Sequence, residues 1–398
     1  MAAQLRNRGL PAAGMVLGPA SEPDRYELVE ELHGPDHFYL SEEKAPRVWL
    51  GRTKDVSRSY TATSAHPSLT QEQPPRYKEL QYGGAPLNAS SHPGQTHCIS
   101  VIDSFNLTWG NGDPYPEDAD PFSGGDAAVV LELVGPTLAD WQKQRPSPFF
   151  PLPLARRLVK QILLALDYLH REPEDISGNP LGHAGILLDD LLLRERYTPD
   201  DLKEDEPASS PFLKLVGFGS AYEAPIPEDL ISLRVADSQS AAPEQLLLQH
   251  ADGYEAPGRA VDIWSVGVLT SRLLFNRNLS LNGARRVFWQ PTWKNQLASW
   301  SAHPKVVVAL ASLDPDSEWP PYFWQVYRRQ VVPGFPFDDA TVKPVANLQK
   351  RIKKEKKVTD PDDARQLASF LQACWTLDPF KRPTTKELLE HEWLRGVE

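Results

Sequence analysis

The sequence predicts an α+β protein of two unequal lobes, a small antiparallel β lobe over residues 26–135 and a larger, mainly helical lobe over residues 136–398. Three observations carry that prediction. Up to residue 135, short β-prone runs alternate with stretches rich in Gly, Pro, Asn and Asp, the pattern of strands joined by turns. From residue 154 onward, apolar residues recur every three or four positions, as on the buried face of a helix. Between the two regimes, Gly135-Pro136 reads as a hinge-like break.

Taken in order, residues 1–25 carry Arg6 and Arg8 with no acid before Glu22 and no periodic apolar face, so they read as a disordered tail rather than a transit peptide. Strand-like runs follow at Arg47-Val48-Trp49-Leu50, Cys98-Ile99-Ser100-Val101-Ile102 and Val129-Val130-Leu131-Glu132-Leu133. Over residues 154–170, Leu158, Val159, Ile162, Leu163, Leu166 and Leu169 share one helical face. Residues 199–211 hold five acids together with Ser209 and Ser210 and read as a solvated loop. Residues 261–275 are apolar nearly all round, which predicts a central helix with neighbours on every side. Residues 364–377 and 384–394 predict two more amphipathic helices, the second entered through Pro383-Thr384-Thr385. Lys350-Arg351-Ile352-Lys353-Lys354-Glu355-Lys356-Lys357 is the sole basic run and reads as a solvated helix end.

A chain of 398 residues, 40% of them hydrophobic, can bury one large core or two smaller ones. The net charge of −11 argues against a nucleic-acid binder and leaves room for a basic partner. Two cysteines, Cys98 and Cys374, are too few for a disulfide framework, which predicts a reducing compartment, cytoplasmic and/or nuclear. The most apolar stretch is interrupted by Asp262 and Arg272, so no membrane partner is expected.

Specific motifs then narrow the reading. Ala242-Pro243-Glu244, Val261-Asp262-Ile263-Trp264-Ser265-Val266-Gly267, Asp378-Pro379-Phe380-Lys381-Arg382-Pro383-Thr384 and His391-Glu392-Trp393-Leu394 occur in that order. Together with the lobe order, they make the chain resemble a protein kinase domain. Val134-Gly135-Pro136-Thr137-Leu138 at the hinge, His92-Pro93-Gly94 before Ile102-Asp103-Ser104-Phe105, and Gly219-Ser220-Ala221 are most similar to the SR-protein kinase group and its divergent fungal relatives. The resemblance implies that Glu244 pairs with Arg382, tying the activation segment to the large lobe. It also implies that Asp262 accepts backbone N–H bonds from the catalytic-loop turn.

The same resemblance exposes what is missing. His183-Ala184-Gly185-Ile186-Leu187-Leu188-Asp189-Asp190 lies in the frame of the His-Arg-Asp catalytic loop, and Val216-Gly217-Phe218-Gly219 in that of the Asp-Phe-Gly motif. Gly185 stands at the catalytic aspartate and Leu187 at the catalytic-loop lysine. Asp190 stands at the metal-binding asparagine, and Gly217 at the metal-binding aspartate. The third strand, over residues 60–65, puts Ser64 at the nucleotide-binding lysine, with Glu79 as the glutamate that would pair with it. Any remaining nucleotide contacts fall to Ser64, Glu79 and the hinge residues Glu132 and Val134. The glycine-rich loop, expected near residues 31–48, offers Gly34 next to Pro35 where close-approaching backbone N–H groups are needed.

Phosphoryl transfer rests on positioning and charge stabilisation. Losing about 3 kcal/mol with each absent group would cost more than a hundredfold in rate each time. The resemblance therefore points to a serine/threonine-kinase-like domain of SR type that is a catalytically impaired pseudokinase acting as scaffold or regulator. ATP and Mg are its cofactors only if activity remains, and its partner is a protein or a basic peptide. The alternative is an active, atypical ATP-dependent kinase with Asp189, Asp190 and Glu79 as relocated metal ligands. The apolar run Leu187, Leu188 and Leu191 to Leu193 implies either a collapsed cleft or a hydrophobic docking site.

Overall fold

The computed structural model describes residues 13–14, 16–18, 21–22, 25–33, 47–53, 59–64, 92–106, 127–144, 147–170, 181–183, 185–194, 213–218, 222–223, 242, 258–276, 348–354, 358, 360–376 and 379–397. Among the described residues, six strands build the small lobe: β1 (Val16–Leu17), β2 (Tyr26–His33), β3 (Arg47–Thr53), β4 (Ser59–Ser64), β5 (Val101–Asn106) and β6 (Ala127–Leu131). They form one antiparallel sheet in the order β1-β2-β3-β4-β6-β5. β1 lies inside the segment read as a tail, paired to β2 through Val16↔Glu27 and Leu17↔Tyr26.

The sheet curls. Tyr26 and Leu28, two residues apart on β2, are buried on the same face. The Tyr26 hydroxyl donates to Asp103 at 2.8 Å and its ring stacks on Phe105 at 5.8 Å, so β2 reaches the last strand of the order. The β2–β3 hairpin closes at His33↔Val48. Hairpins of two to five residues are the common case, and the stretch between those partners is far longer. It falls where a phosphate-cradling loop was sought, and residues 34–46 lie outside the described set.

A 3₁₀ turn, Pro93–His97, leads toward β5, and the strand expected from residue 98 begins at Val101, with Cys98 in an isolated bridge to Leu215. His92 accepts the Gly94 N–H on its ring nitrogen, and Pro93 supplies the pre-set φ of a first helical position. This turn sits against α2 in the large lobe so closely that a Cβ at Gly94 would lie 1.8 Å from the carbonyl oxygen of Leu164.

Beyond the sheet, β7 (Val134–Thr137) contains the Gly135-Pro136 pair, so the expected break is a short strand. Pro136 is tolerated because β7 is the edge of a three-stranded sheet ordered β10-β9-β7, with an irregular register between Val134 and Thr137. The remaining elements are α1 (Leu138–Gln144), α2 (Leu152–His170), β8 (Leu181–Gly182), β9 (Leu191–Arg194), β10 (Leu213–Leu215), β11 (Tyr222–Glu223), α3 (Gly258–Phe275), α4 (Leu348–Lys354), α5 (Pro361–Cys374) and α6 (Thr385–Leu389).

Helix α2 is the hub of the large lobe. Its apolar face is buried from Leu154 to Leu169. Its polar positions are tied down as well. Arg156 pairs with Asp363 of α5 and lies over the Trp393 ring, and Lys160 donates to the Val397 carbonyl. Asp167 takes the Thr385 hydroxyl at 2.9 Å and the His92 imidazole at 3.1 Å. Helix α3 is buried on all sides, as its composition predicts, because Ser265, Thr270 and Ser271 satisfy their hydroxyls on backbone carbonyls one turn back. Gly267 admits the Trp375 indole, whose Nε1 would be 2.5 Å from an added Cβ.

Asp360 caps α5 by accepting the N–H groups of Asp362 and Asp363, and Thr384 with Glu387 forms a capping box on α6. The single helix expected over 384–394 is two pieces. At His391 the chain is extended, the ring accepts the Trp393 N–H, and a 3₁₀ turn, Glu392–Leu394, restarts. One hydrophobic core spans both lobes, with Cys98, Ile99 and Leu131 joining the helical residues. No helix among the described residues is long and apolar enough to cross a membrane.

Candidate functional site

Two segments, His183 with residues 185–190 and residues 213–218, are hydrogen-bonded to each other through Val216. Asp262 fixes the first from below. It is fully buried on α3, accepts the His183 backbone N–H at 2.7 Å, and lies 2.9 Å from His170 Nε2. A carboxylate removed from water needs such partners, because an unpaired buried charge costs several kcal/mol. His183 then spans the site. Its Nε2 donates to the Val216 carbonyl at 2.8 Å, and its ring meets Phe218 edge-on at 5.5 Å. The loop scaffold is thus held on both sides without any of the catalytic groups.

Gly185 has φ +129°, a conformation that favours glycine, and among the described residues nothing lies within 4 Å of where its Cβ would be. Gly217 differs. Its φ is +82°, and a Cβ would lie 2.4 Å from Asp190 Oδ1. The Asp190 carboxylate therefore stands in the volume that the first atom of a side chain at 217 would need.

Asp190 is also folded back on its own loop. Oδ2 accepts the Leu187 N–H at 2.8 Å, its backbone N–H donates to the Leu187 carbonyl at 3.2 Å, and its carbonyl accepts the Val216 N–H at 2.9 Å. The group at the metal-binding position serves as the cap of a 3₁₀ turn, Leu188–Asp190. Mg²⁺ demands near-octahedral oxygen coordination. Gly217 offers no side-chain oxygen, one Asp190 oxygen is engaged by the backbone, and the other crowds Gly217. Among the described residues no three His, Cys, Asp or Glu side chains form a group that would hold a metal ion. Among the described residues, those at the site do not fit the metal of phosphoryl transfer.

The apolar loop residues go inward. Leu188, Leu191 and Leu193 are buried in the common core and Leu187 and Leu192 are half-buried.

At the hinge, Glu132 and Ser100 exchange bonds. The Glu132 N–H donates to the Ser100 carbonyl at 3.0 Å, and Glu132 Oε1 accepts the Ser100 N–H at 2.8 Å. The same oxygen lies 2.9 Å from Lys214 Nζ, which also donates to the Cys98 carbonyl at 3.3 Å. Sequence reasoning passed over Lys214, a buried lysine three residues before Gly217. The available signal was a lysine between Leu213 and Leu215 in a strand buried on both faces, where a charge requires a partner. Lys214 lies near Gly217 in sequence, but its donors go to Glu132 and the Cys98 carbonyl.

Burial pushes the neighbouring His97 imidazole down to about 4, against the Leu213 carbonyl 3.3 Å from Nδ1 and with Lys214 adding to the fall. Burial raises the Cys98 thiol to about 12, so it stays protonated and unreactive at neutral pH.

The other expected site residues are placed as follows. Val134 opens β7 opposite Arg194 and packs on the core. Ser64 ends β4, opposite Arg47 and Ala128. Arg382 donates from Nε to the Thr376 carbonyl at 2.7 Å and from Nη1 to the Ala260 carbonyl at 2.8 Å, with its guanidinium 5.0 Å from the Trp264 ring centre. It thereby joins the start of α3 to the connection between α5 and α6. Glu79 and Glu244 lie outside the described residues, and with Glu244 the expected pairing to Arg382.

Comparison with known proteins gives the same frame. The family description "Protein kinase domain" matches residues 122–394, more than half of the chain. Among curated proteins, the chain is similar to the dual specificity protein kinase CLK1 of Homo sapiens, 28% identical over 151 residues, which is 36% of this chain and 28% of that protein. It is similar to the serine/threonine-protein kinase SRPK of Physarum polycephalum, 32% identical over 119 residues, 30% of this chain and 25% of that protein. It is also similar to a serine/threonine protein kinase of Aspergillus fumigatus, 26% identical over 210 residues, 48% of this chain and 45% of that protein. The chain thus spans less than half the length of these relatives.

Proposed function

Since the chain belongs to the protein kinase family, we propose that it is a pseudokinase: a kinase-type domain of SR-protein kinase affinity that does not transfer phosphate and serves as a scaffold or regulator. The observation that carries this reading is the Asp190–Gly217 arrangement. The sole carboxylate among Gly185, Leu187, Asp190 and Gly217 caps its own turn and fills the space of the missing one. Gly185 adds to it, since nothing at that position can orient or deprotonate a substrate hydroxyl. The framework residues Asp262, His183 and Arg382 keep hydrogen bonds that tie the segments together, as a binding module needs.

The ligand of such a module is a protein partner, with a basic peptide the chemistry suited to a chain of net charge −11. A cytoplasmic or nuclear location accords with that role.

A thermal-shift titration of the purified chain with ATP, with and without Mg²⁺ or Mn²⁺, tests the reading. A ligand that binds only the folded state adds about 2.7 kcal/mol at a hundredfold excess over its Kd. No shift at millimolar nucleotide is the expected result. A metal-dependent rise in Tm that disappears in Asp190→Ala would overturn the proposal in favour of an atypical active kinase.

A further inference from the structure

The last turn of the described chain is started by a histidine that must be neutral to start it. After α6 the backbone at His391 is extended, and Nδ1 accepts the Trp393 N–H at 3.1 Å. A ring nitrogen that accepts an N–H carries no proton. The hydrogen of the neutral ring therefore sits on Nε2, 3.3 Å from the Ser369 hydroxyl of α5. Protonation leaves Nε2 as it is and puts a second N–H on Nδ1, donor against donor. The cap on the turn Glu392–Leu394 is then lost.

What the cap starts is anchored on two helices. The Trp393 ring is fully buried, 4.6 Å from Phe370 of α5 and 5.8 Å from the Arg156 guanidinium of α2. Farther on, the Val397 carbonyl accepts from Lys160 of α2. His391 itself is only half-buried, so protons reach it.

The charges around the ring do not replace the lost bond. The Glu392 oxygens are taken by Arg365 of α5 at 2.9 and 3.2 Å, Asp362 is 2.9 Å from the same guanidinium, and Asp363 pairs with Arg156. Glu387 belongs to the α6 capping box, and Lys386 and Glu390 are exposed. Arg395 has the sign of the protonated ring. Burial lowers the His391 pKa from the ordinary 6.5, with Glu392 opposing and Arg395 adding to the fall. What the cap contributes is thus fully present above pH 6.5 and is lost as pH drops below it.

We propose that His391 is a proton-operated latch on residues 392–397, closed at neutral pH and loosened from α2 and α5 in mild acid. It lies outside the candidate site, so it holds whichever way the nucleotide titration falls.

Hydrogen exchange of the full chain, corrected for the intrinsic effect of pH on exchange, tests it between about pH 7.5 and about pH 5. The comparisons are His391→Asn, whose side chain accepts an N–H at a helix start without titrating, and His391→Ala. Wild-type residues 392–397 should lose protection about fivefold on acidification, the size of one lost cap. The Asn variant should show little pH dependence, and the Ala variant should be open to the acid wild-type degree throughout. Residues 261–275 of α3 should keep their protection. Wild-type protection that ignores pH, an Asn variant with the same acid loss, an Ala variant as protected as wild type at neutral pH, or an equal loss in α3 would each overturn the proposal.

Discussion

Replacing Gly217 with alanine separates the two things that glycine does. The first is conformational. At φ +82° an L-residue pays roughly 1–2 kcal/mol of backbone strain. The second is steric, because the new Cβ would lie 2.4 Å from Asp190 Oδ1, and the carboxylate must turn away. Turning it away sacrifices the bond from the Leu187 N–H, a charge-assisted bond worth about 1.5–3 kcal/mol in general, and less where the acceptor is half-exposed. Gly217→Ala should therefore destabilise the fold by about 2–4 kcal/mol in urea denaturation. Gly185→Ala, with φ +129° but open space around its Cβ, should lose only the strain of about 1–2 kcal/mol.

The discriminating quantity is the coupling to Asp190. In an Asp190→Ala background the steric part has no partner, so Gly217→Ala should fall to the strain alone, leaving a coupling energy of about 1–2 kcal/mol. A double-mutant cycle with no coupling would refute the claim that Asp190 occupies the space in front of residue 217. So would a Gly217→Ala variant no less stable than Gly185→Ala.

Three further outcomes follow from the same geometry. Lys214→Met should cost about 2–3 kcal/mol, below the range for breaking a fully buried pair because Glu132 is partly exposed; adding Glu132→Gln should recover part of it in a denaturation cycle. Gly94→Ala should lower stability by about 3 kcal/mol or more, seen as a large fall in Tm, because the clash is with a helix backbone that cannot move aside. His97 is held at about 4 in the fold against an ordinary 6.5. Its contribution is fully present above pH 6.5 and is lost as pH falls toward 4, since the unfolded chain takes up the proton first. The loss approaches about 3 kcal/mol, and His97→Gln should flatten that part of the stability–pH curve.

The α elements were legible because burial writes a period. Leu158, Val159, Ile162, Leu163, Leu166 and Leu169 announce α2 directly, and the all-apolar 261–275 run announces a helix with no free face. The final helix was misjudged because its pattern says nothing of the His391 ring, which caps a new turn where a continuous helix was expected. In the small lobe, Cys98 and Ile99 are as apolar as any strand residue, yet they bond to Leu215 instead of the sheet, and β5 starts only at Val101. Tertiary contact overrode local propensity there.

At the site, the replacements at Gly185 and Gly217 were visible as letters. That Asp190 would turn inward to crowd Gly217 was not, since no spacing encodes which way a surviving carboxylate points. Lys214 escaped notice for a related reason: its partner Glu132 is distant in sequence, and only the fold makes them a pair.

Helix α2 has a bearing on how the protein is made. Its contacts reach back to His92 and Gly94 and forward to Asp363, Thr385, Trp393 and Val397. During synthesis at about 5–20 residues per second, the distal partners of α2 emerge roughly 10–45 s after the helix itself. For that interval α2 can close on β8, β10 and α3 but not on its distal partners, and the small lobe leans on a helix that is only partly seated. Such long-range closure slows folding and leaves hydrophobic surface open to aggregation. A truncation that removes residues 385–397 would strip α2 of half of these anchors at once.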